Sequence, residues 1–289
     1  MENGLPLHMT ADSQRELTIE KGMKAIERMQ EESERNGNCN MTLDEINAEI
    51  AAARAERART TGSNAMNYEN MRDSGIPYIG EIPSHWRITK TLHCLSMPIT
   101  DGPHTTPELY DDGVPFISAE AVSCGNGRID FSHMRGYISE DFYEECCKKY
   151  VPQIDDIYMI KSGATTGRVA IVDTDRIFTI WSPLAVFRAN RARILPQFLF
   201  YALQSDSYQK QVELGWTYGT QQNIGMRTLE SLKVCLPPLI EQSAIANFLD
   251  AQCSTIDAII SEQQSLIAEL EAYKKSLIYE AVTGKRKVG

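Results

Sequence analysis

Apolar residues along this chain change rhythm three times. In the middle of the chain they gather in short runs bounded by Gly, Pro, Asp or Ser. Five such runs predict strands, at Val114–Ser118, Asp156–Ile160, Arg168–Val172, Leu184–Arg188 and Leu232–Leu236. Helical spacing interrupts them at Glu140–Lys149 and again at Pro196–Leu214, where the proline suits a first helical turn. Mixed short strands and helices of this kind predict an α+β (mixed α/β) domain.

From residue 239 the rhythm is that of one long helix. Pro237-Pro238 punctuates its start and Gly284 its end. Leu249, Ile256, Leu270 and Leu277 recur on a seven-residue spacing, and Cys253, Ile260 and Ile267 fill the alternate seam. A 3.5-residue period is that of a helix packed on another helix. Ile259, Leu266 and Tyr273 widen the stripe. Such a helix would be roughly 60 Å long. No single domain of ordinary diameter buries a seam of that length, so the pattern predicts a helical partner and a dimerisation role for the seam.

The first 60 residues are polar and helix-prone, in two stretches, Ser13–Asn36 and Thr42–Arg59. Thr42 and Glu45 form a capping-box pattern, and Leu43, Ile46 and Ile50 mark one apolar stripe. A helix this short is marginal alone in water. Residues 61–75, TGSNAMNYENMRDSG, read as a linker. The expected division is a helical extension at 1–60, that linker, a globular domain at 76–238 and the long helix at 239–284.

Composition narrows the class. The 289 residues are 42% hydrophobic and 24% charged, enough for one sizeable core. No apolar run approaches the roughly 20 residues of a membrane span. The N-terminus lacks a signal-peptide pattern, so a cytoplasmic protein without a membrane partner is expected. The seven cysteines show no CxxC pair. They read as reduced thiols, forming neither a disulfide framework nor a metal site. The net charge of −10 argues against a simple nucleic-acid binder. Between Ile76 and Leu236 there are 15 basic and 18 acidic residues. Affinity for DNA would therefore need a local basic face.

There is no GxSxG elbow, HExxH pair or Rossmann fingerprint. Asp155-Asp156 near Lys161 resembles a nuclease pattern faintly, but no glutamate stands at the required spacing before the lysine. His104 with Cys94 or Cys124 has nothing in the sequence to fix its geometry. No catalytic or metal-binding residue is expected.

Three loops carry the candidate chemistry. Gly102 and Pro103 make a turn that projects His104, Thr105 and Thr106 beyond Asp101. Hydroxyl and imidazole groups can contact phosphates; the other reading is a turn that caps a strand. Ser162–Gly167 is a small-residue loop through Thr165 and Thr166, flanked by Lys161 and Arg168. Backbone can approach a phosphate there, or the loop is a plain hairpin. No GK[ST] follows, so it is not a Walker A loop. In Tyr218–Asn223, Thr220, Gln221, Gln222 and Asn223 follow a tyrosine and a glycine. Gln and Asn can read an adenine edge bidentately, or they can satisfy loop backbone. Arg188, Arg191 and Arg193 form a further basic cluster, for phosphate or for solvent.

Six blocks fall in the order of a known family. They are Gly80-Glu81-Ile82-Pro83-Ser84-His85-Trp86; Asp101–Pro107 with Gly113–Ile117; Ser162–Gly167; Gly219–Ile224; Leu236–Leu239 with Glu241-Gln242, Ile245 and Phe248-Leu249-Asp250; and Lys274–Ile278 with Ala281–Lys285. Together they resemble the specificity subunit of Type I restriction-modification systems, in a half-length form with one target-recognition domain and one helix. The resemblance implies a non-catalytic DNA-recognition subunit with double-stranded DNA as partner. It also implies methyltransferase subunits that use S-adenosylmethionine, which this chain itself would not bind, and a restriction or translocase subunit that can join. A single recognition domain would read only half of a bipartite site, and with the unpartnered seam this predicts a homodimer through the long helix. The first 75 residues have no place in that pattern; Thr42–Arg59 resembles the tail of bacterial antitoxins. A coiled-coil scaffold and an antitoxin fusion are the competing readings.

Removal of residues 1–60 should leave the recognition domain folded, with little change in its thermal midpoint, since few core contacts should cross a linker of this composition. A large drop measured by calorimetry would make the segment integral to the domain.

Overall fold

The structure is a computed structural model, and it describes Lys24 and residues 70–76, 78–218 and 222–287. The expected helical stretches within 1–60 lie outside the described residues. The chain divides into two compact units, one of residues 68–250 and one joining residues 1–67 to 251–289.

The centre of the first unit is a four-stranded antiparallel sheet. Strands β4 (Thr100–Asp101), β10 (Leu184–Phe187), β7 (Ile157–Ile160) and β8 (Val169–Ile171) lie side by side in the order β4-β10-β7-β8. Strands β7, β8 and β10 are apolar on both faces, and both faces are covered. Ile157, Met159, Val169, Ile171, Ala185 and Phe187 point to one side. Tyr158, Ile160, Ala170, Leu184 and Val186 point to the other. Side chains alternate along a strand, so an unbroken apolar run such as Ile157-Tyr158-Met159-Ile160 buries both of its faces.

The first face packs on α3 (Pro196–Gln204) and α4 (Asp206–Leu214), through Phe198, Leu199, Leu203, Tyr208 and Val212. The second packs on α1 (Ala119–Cys124) and on Tyr150, Phe178 and Ile180. Around this centre lie smaller sheets. β1 (Met71–Asp73) pairs with β2 (Glu81–Pro83), and β3 (Arg87–Lys90) pairs with β13 (Lys233–Leu236). β5 (Val114–Ile117) lies between β6 (Gly136–Ile138) and β9 (Thr179–Ile180), parallel to β9. β11 (Thr217–Tyr218) pairs with β12 (Gln222–Asn223). The helices α2 (Glu140–Cys147) and α5 (Met226–Ser231) complete the unit.

Two expectations are corrected. The stretch Pro196–Leu214 is not one helix. Ser205 adopts an extended conformation (φ −60°, ψ 144°), accepts from Tyr208 N and so caps α4. Its hydroxyl also donates to Ala202 O at 2.7 Å, finishing α3. A serine placed to serve both helix ends outweighs the continuous apolar spacing. Residues 71–73, expected within the linker, pair in register with Glu81–Pro83 and belong to the compact unit.

The long helix α6 runs from Leu239 to Val282, 44 residues, as the spacing predicts. Its first three turns belong to the first unit and are held by polar side chains. Glu241 accepts from His85 Nε2 at 2.7 Å and from Trp86 Nε1 at 2.8 Å. Asp250 accepts from Gln197 Nε2 at 2.7 Å and Tyr201 OH at 2.6 Å. Gln242 is fully buried. It accepts from Leu195 N and donates to the carbonyls of Arg193 and Pro237. Among the described residues no helix is long and apolar enough to cross a membrane.

Gln242→Leu should destabilise the chain by about 2–3 kcal/mol in urea unfolding, because a buried N–H and two carbonyls lose their partner. Ser243→Ala, at an exposed neighbour, should cost less than about 0.5 kcal/mol. Equal small effects would show that the helix root is held by apolar packing alone.

Candidate nucleic-acid interface

The sheet register decides where the loops lie. Asp101 ends β4 opposite Ala185, and Ile160 ends β7 opposite Leu184. Both strands run antiparallel to β10, so both finish at the same end of the sheet. The loop after Asp101 and the loop after Ile160 are therefore neighbours. Gly102 makes the first turn possible. A Cβ there would lie 2.0 Å from the carbonyl oxygen of Ile180, a separation only glycine permits. At Gly167, φ is +97° and a Cβ would meet Gln209 Oε1 at 2.4 Å. Gln209 Nε2 donates to the Gly167 carbonyl at 2.9 Å and ties the turn to α4.

The third segment is attached to the second by backbone. Ile224 N donates to Lys161 O at 2.9 Å, and Gly163 N donates to Gln222 O at 3.0 Å. Ser162 and Asn223 form an antiparallel bridge. Side chains attach the second loop to the first: Lys161 Nζ lies 3.3 Å from Asp101 Oδ2. The three loops singled out in the sequence are thus one connected group.

Within that group the residues divide. His104, Thr105, Thr106, Arg168, Gln222 and Asn223 are exposed, while Ser162, Thr165 and Thr166 are half-buried. The hydroxyl of Thr166 donates to Gly163 O at 2.7 Å. Arg168 Nη1 donates to Ser123 O at 2.9 Å and keeps an exposed side chain. Thr220 and Gln221 lie outside the described residues, and of Tyr218 only the backbone is described.

Asp101 and Lys161 take a different part from the expected one. Asp101 is only 1% exposed and serves as the electrostatic centre of the group. Lys149 donates to its Oδ1 at 2.5 Å, and His104 Nε2 lies 3.1 Å from Oδ2. The Lys161 side chain is 13% exposed, directed at this carboxylate and not at solvent. Burial pushes the Asp101 carboxyl up. The Lys149 hydrogen bond and the charges of Lys149 and Lys161 outweigh it and hold the group below the usual carboxylate range. No local pattern announces Lys149, which stands 48 positions away from Asp101 in the chain.

The arginine cluster is likewise engaged. Arg188 grips the buried Asp156 with Nε and Nη2, each at 2.7 Å. Asp156 also accepts from Tyr150 OH at 2.5 Å and Gln153 N at 2.9 Å. Arg191 pairs with Asp155, and Arg193 Nη1 donates to the His93 carbonyl. Asp155-Asp156 therefore anchors arginines, and Asp156 is buried at 1% exposure.

Exposed hydroxyl, amide and guanidinium groups on loops, carried at one end of a sheet buried on both sides, define a recognition domain. A family model for the Type I restriction modification DNA specificity domain matches residues 101–272, more than half of the chain. The chain belongs to that family. It is 30% identical over 210 residues to the putative type I restriction enzyme MjaX specificity subunit of Methanocaldococcus jannaschii, over 71% of this chain and 47% of that protein. The MjaVIII specificity subunit of the same organism is 26% identical over 214 residues, 73% of this chain and 48% of its own length. The chain thus spans about half the length of the curated relatives it matches. A solved structure from a study of complex assembly and conformational transition of the type I R-M system superposes with a TM-score of 0.54 at 19% identity. It covers 94% of this chain and 60% of that one. That likeness shows the fold.

The Asp101 centre carries a pH signature. A carboxyl whose folded value is lowered stabilises the fold fully above its unfolded value of about 3.9, and that contribution is lost as pH falls through the folded value. Asp101→Asn should cost about 1–3 kcal/mol at neutral pH, since it removes the buried carboxylate that accepts from Lys149 and faces Lys161. The difference between variant and wild type should shrink in urea titrations carried from pH 5 toward pH 2. A pH-independent difference would remove the ion pairs from the explanation.

Proposed function

We propose that this chain reads DNA sequence as the specificity component of a Type I restriction-modification assembly. One recognition domain reads one half-site of a bipartite target. Catalysis belongs to methyltransferase subunits, which supply the S-adenosylmethionine chemistry, and to a restriction or translocase subunit where one joins. The observation that carries this reading is the convergence of the three loops into one connected group with Gln222, Asn223, Thr105, Thr106 and Arg168 exposed on it. Amides there suit base edges; hydroxyls and the guanidinium suit phosphates.

The assembly proposed is a two-fold dimer through the C-terminal helix. Ile256, Ile260 and Ile267 on its seam are 53%, 48% and 56% exposed, as a helix made for a helical partner would leave them. Leu249, at the root of the same seam, instead borders a cavity of its own domain with Phe198 and Tyr201. A two-fold protein would read an inverted repeat.

The test is DNA binding by the chain assembled with its methyltransferase. Gln222→Ala or Asn223→Ala should relax discrimination by about 1–3 kcal/mol at one or two base positions. Arg168→Ala should weaken all sequences alike and lower the slope of the salt dependence by about 1. Light scattering should report a dimer, and Ile256→Glu with Ile260→Glu should dissociate it. If none of the loop changes alters DNA binding, the scaffold reading replaces this one.

A further inference from the structure

The turn between β9 and β10, residues Trp181, Ser182 and Pro183, lies at the loop-bearing end of the central sheet. Leu184, the first residue after it, pairs with Ile160, the last residue of β7. Lys161 N donates to Pro183 O at 2.7 Å and ties the turn to the second loop. A Cβ on Gly102 would lie 2.0 Å from the Ile180 carbonyl oxygen and 2.8 Å from the Trp181 carbonyl carbon, so the first loop also runs against it. The turn is a fourth member of the connected group.

Register brings one more residue to the same place. Strands β5 and β9 are parallel and end together, Ile117 beside Ile180, and Trp181 N donates to Ile117 O at 2.9 Å. Strand β6 runs antiparallel to β5, so its first residue, Gly136, stands opposite Phe116 near that end. Arg135 precedes it, and its backbone N–H donates to Phe116 O at 3.0 Å. From there the guanidinium lies over the Trp181 ring, 3.8 Å from the centroid. The buried ring of Phe116 packs against the same indole, with centroids 6.3 Å apart.

Arg135 is exposed. Among the described residues it forms no ion pair, whereas Lys149, Lys161, Arg188 and Arg191 are each held by a carboxylate. An indole holds a guanidinium by its face and leaves the in-plane N–H groups to donate outward. The charge is not neutralised by such a seat. Side-chain freedom is partly spent before a ligand arrives, so less is lost on binding. A fixed, planar, unneutralised fork matches the paired oxygens of a phosphate.

We propose that Arg135, seated on Trp181, takes one backbone phosphate of bound DNA and fixes the register of the duplex over the loops. Charge selects the ligand: a cation without a counter-ion matches an anion, and phosphate is the anion that a duplex presents. The inference rests on the DNA-reading function proposed above, and it adds a positioning residue that lies in none of the three loops.

The test uses the chain assembled with its methyltransferase, a duplex that the assembly recognises and an unrelated duplex. Arg135→Gln should weaken both alike, by about five- to tenfold, and lower the slope of the salt dependence by about 1. Its thermal midpoint should stay close to that of the wild type, because the side chain is exposed. Arg135→Lys should keep the slope and recover only part of the affinity, since an ammonium keeps the charge but loses the planar fork. Single uncharged methylphosphonates are then walked along the recognised site. At one position the substitution should weaken the wild type and leave Arg135→Gln unaffected, which locates the contacted phosphate. A loss confined to one base pair with an unchanged slope would make Arg135 a reader of a base edge and overturn the phosphate assignment. Unaltered affinity and slope in Arg135→Gln, beside clear effects of Gln222→Ala and Arg168→Ala, would overturn this proposal and leave the DNA-reading function standing. A wild-type assembly that did not distinguish the two duplexes would overturn both.

Discussion

A sheet covered on both faces leaves its polar work to its ends. That constraint organises the recognition unit. Strands β7, β8 and β10 present apolar side chains to helices on one side and to a second cluster on the other. Each such side chain, fully buried, contributes about 1.5–3 kcal/mol relative to exposure. No polar side chain can project from either face without displacing one of them. Loops at the strand ends are the remaining positions that are both fixed by the sheet and open to a ligand. The antiparallel register places two of those loops at one end, and backbone bonds from Gly163 and Ile224 join the third.

The same logic governs the root of the long helix. A helix whose first turns pack on a domain is fixed there in rotation as well as position only if some of its contacts are directional. Apolar contacts alone are non-directional. Here Glu241, Gln242 and Asp250 bind partners just before β3, on the segment before α3 and on α3 itself. Three polar clamps over three turns define a rotation as well as a position. Gln242 is the firmest of them because it is fully buried with its oxygen and both N–H groups engaged.

Much of this was legible in the sequence, and the reasons differ by element. The strands Ile157–Ile160, Val169–Ile171, Leu184–Phe187 and Lys233–Leu236 showed themselves because burial on one or both faces demands apolar runs. The long helix showed itself through its period and its bounding prolines and glycine. What stayed hidden depends on partners distant in the chain. β1 is three exposed residues, two of them charged, and only its pairing with Glu81–Pro83 makes it a strand. The break at Ser205 turns on one hydroxyl serving two helix ends, which apolar spacing does not record. The loops were found as motifs, but the division of labour inside them was not. Lys161 looks like a phosphate ligand by residue type and loop position. It becomes a counter-ion only because β4 delivers Asp101 beside it, which no local pattern reveals.

That division bears on the acidic charge of the chain. Several cations of the recognition domain are already matched: Lys149 and Lys161 by Asp101, Arg188 by Asp156, Arg191 by Asp155. A buried or half-buried cation held at 2.5–3.3 Å from a carboxylate has little left to offer a phosphate. Non-specific affinity for DNA comes chiefly from phosphate neutralisation, so on the function proposed above these four cations would add little to it. The exposed loop groups of the domain are mostly neutral amides and hydroxyls, which discriminate between bases more than they attract the backbone. On the function proposed here, this is a division of labour between subunits. The recognition chain supplies the difference between sequences, and the partners docked through its helix supply most of the hold on the duplex. A net charge of −10 is then compatible with reading DNA, provided that reading happens only inside an assembly.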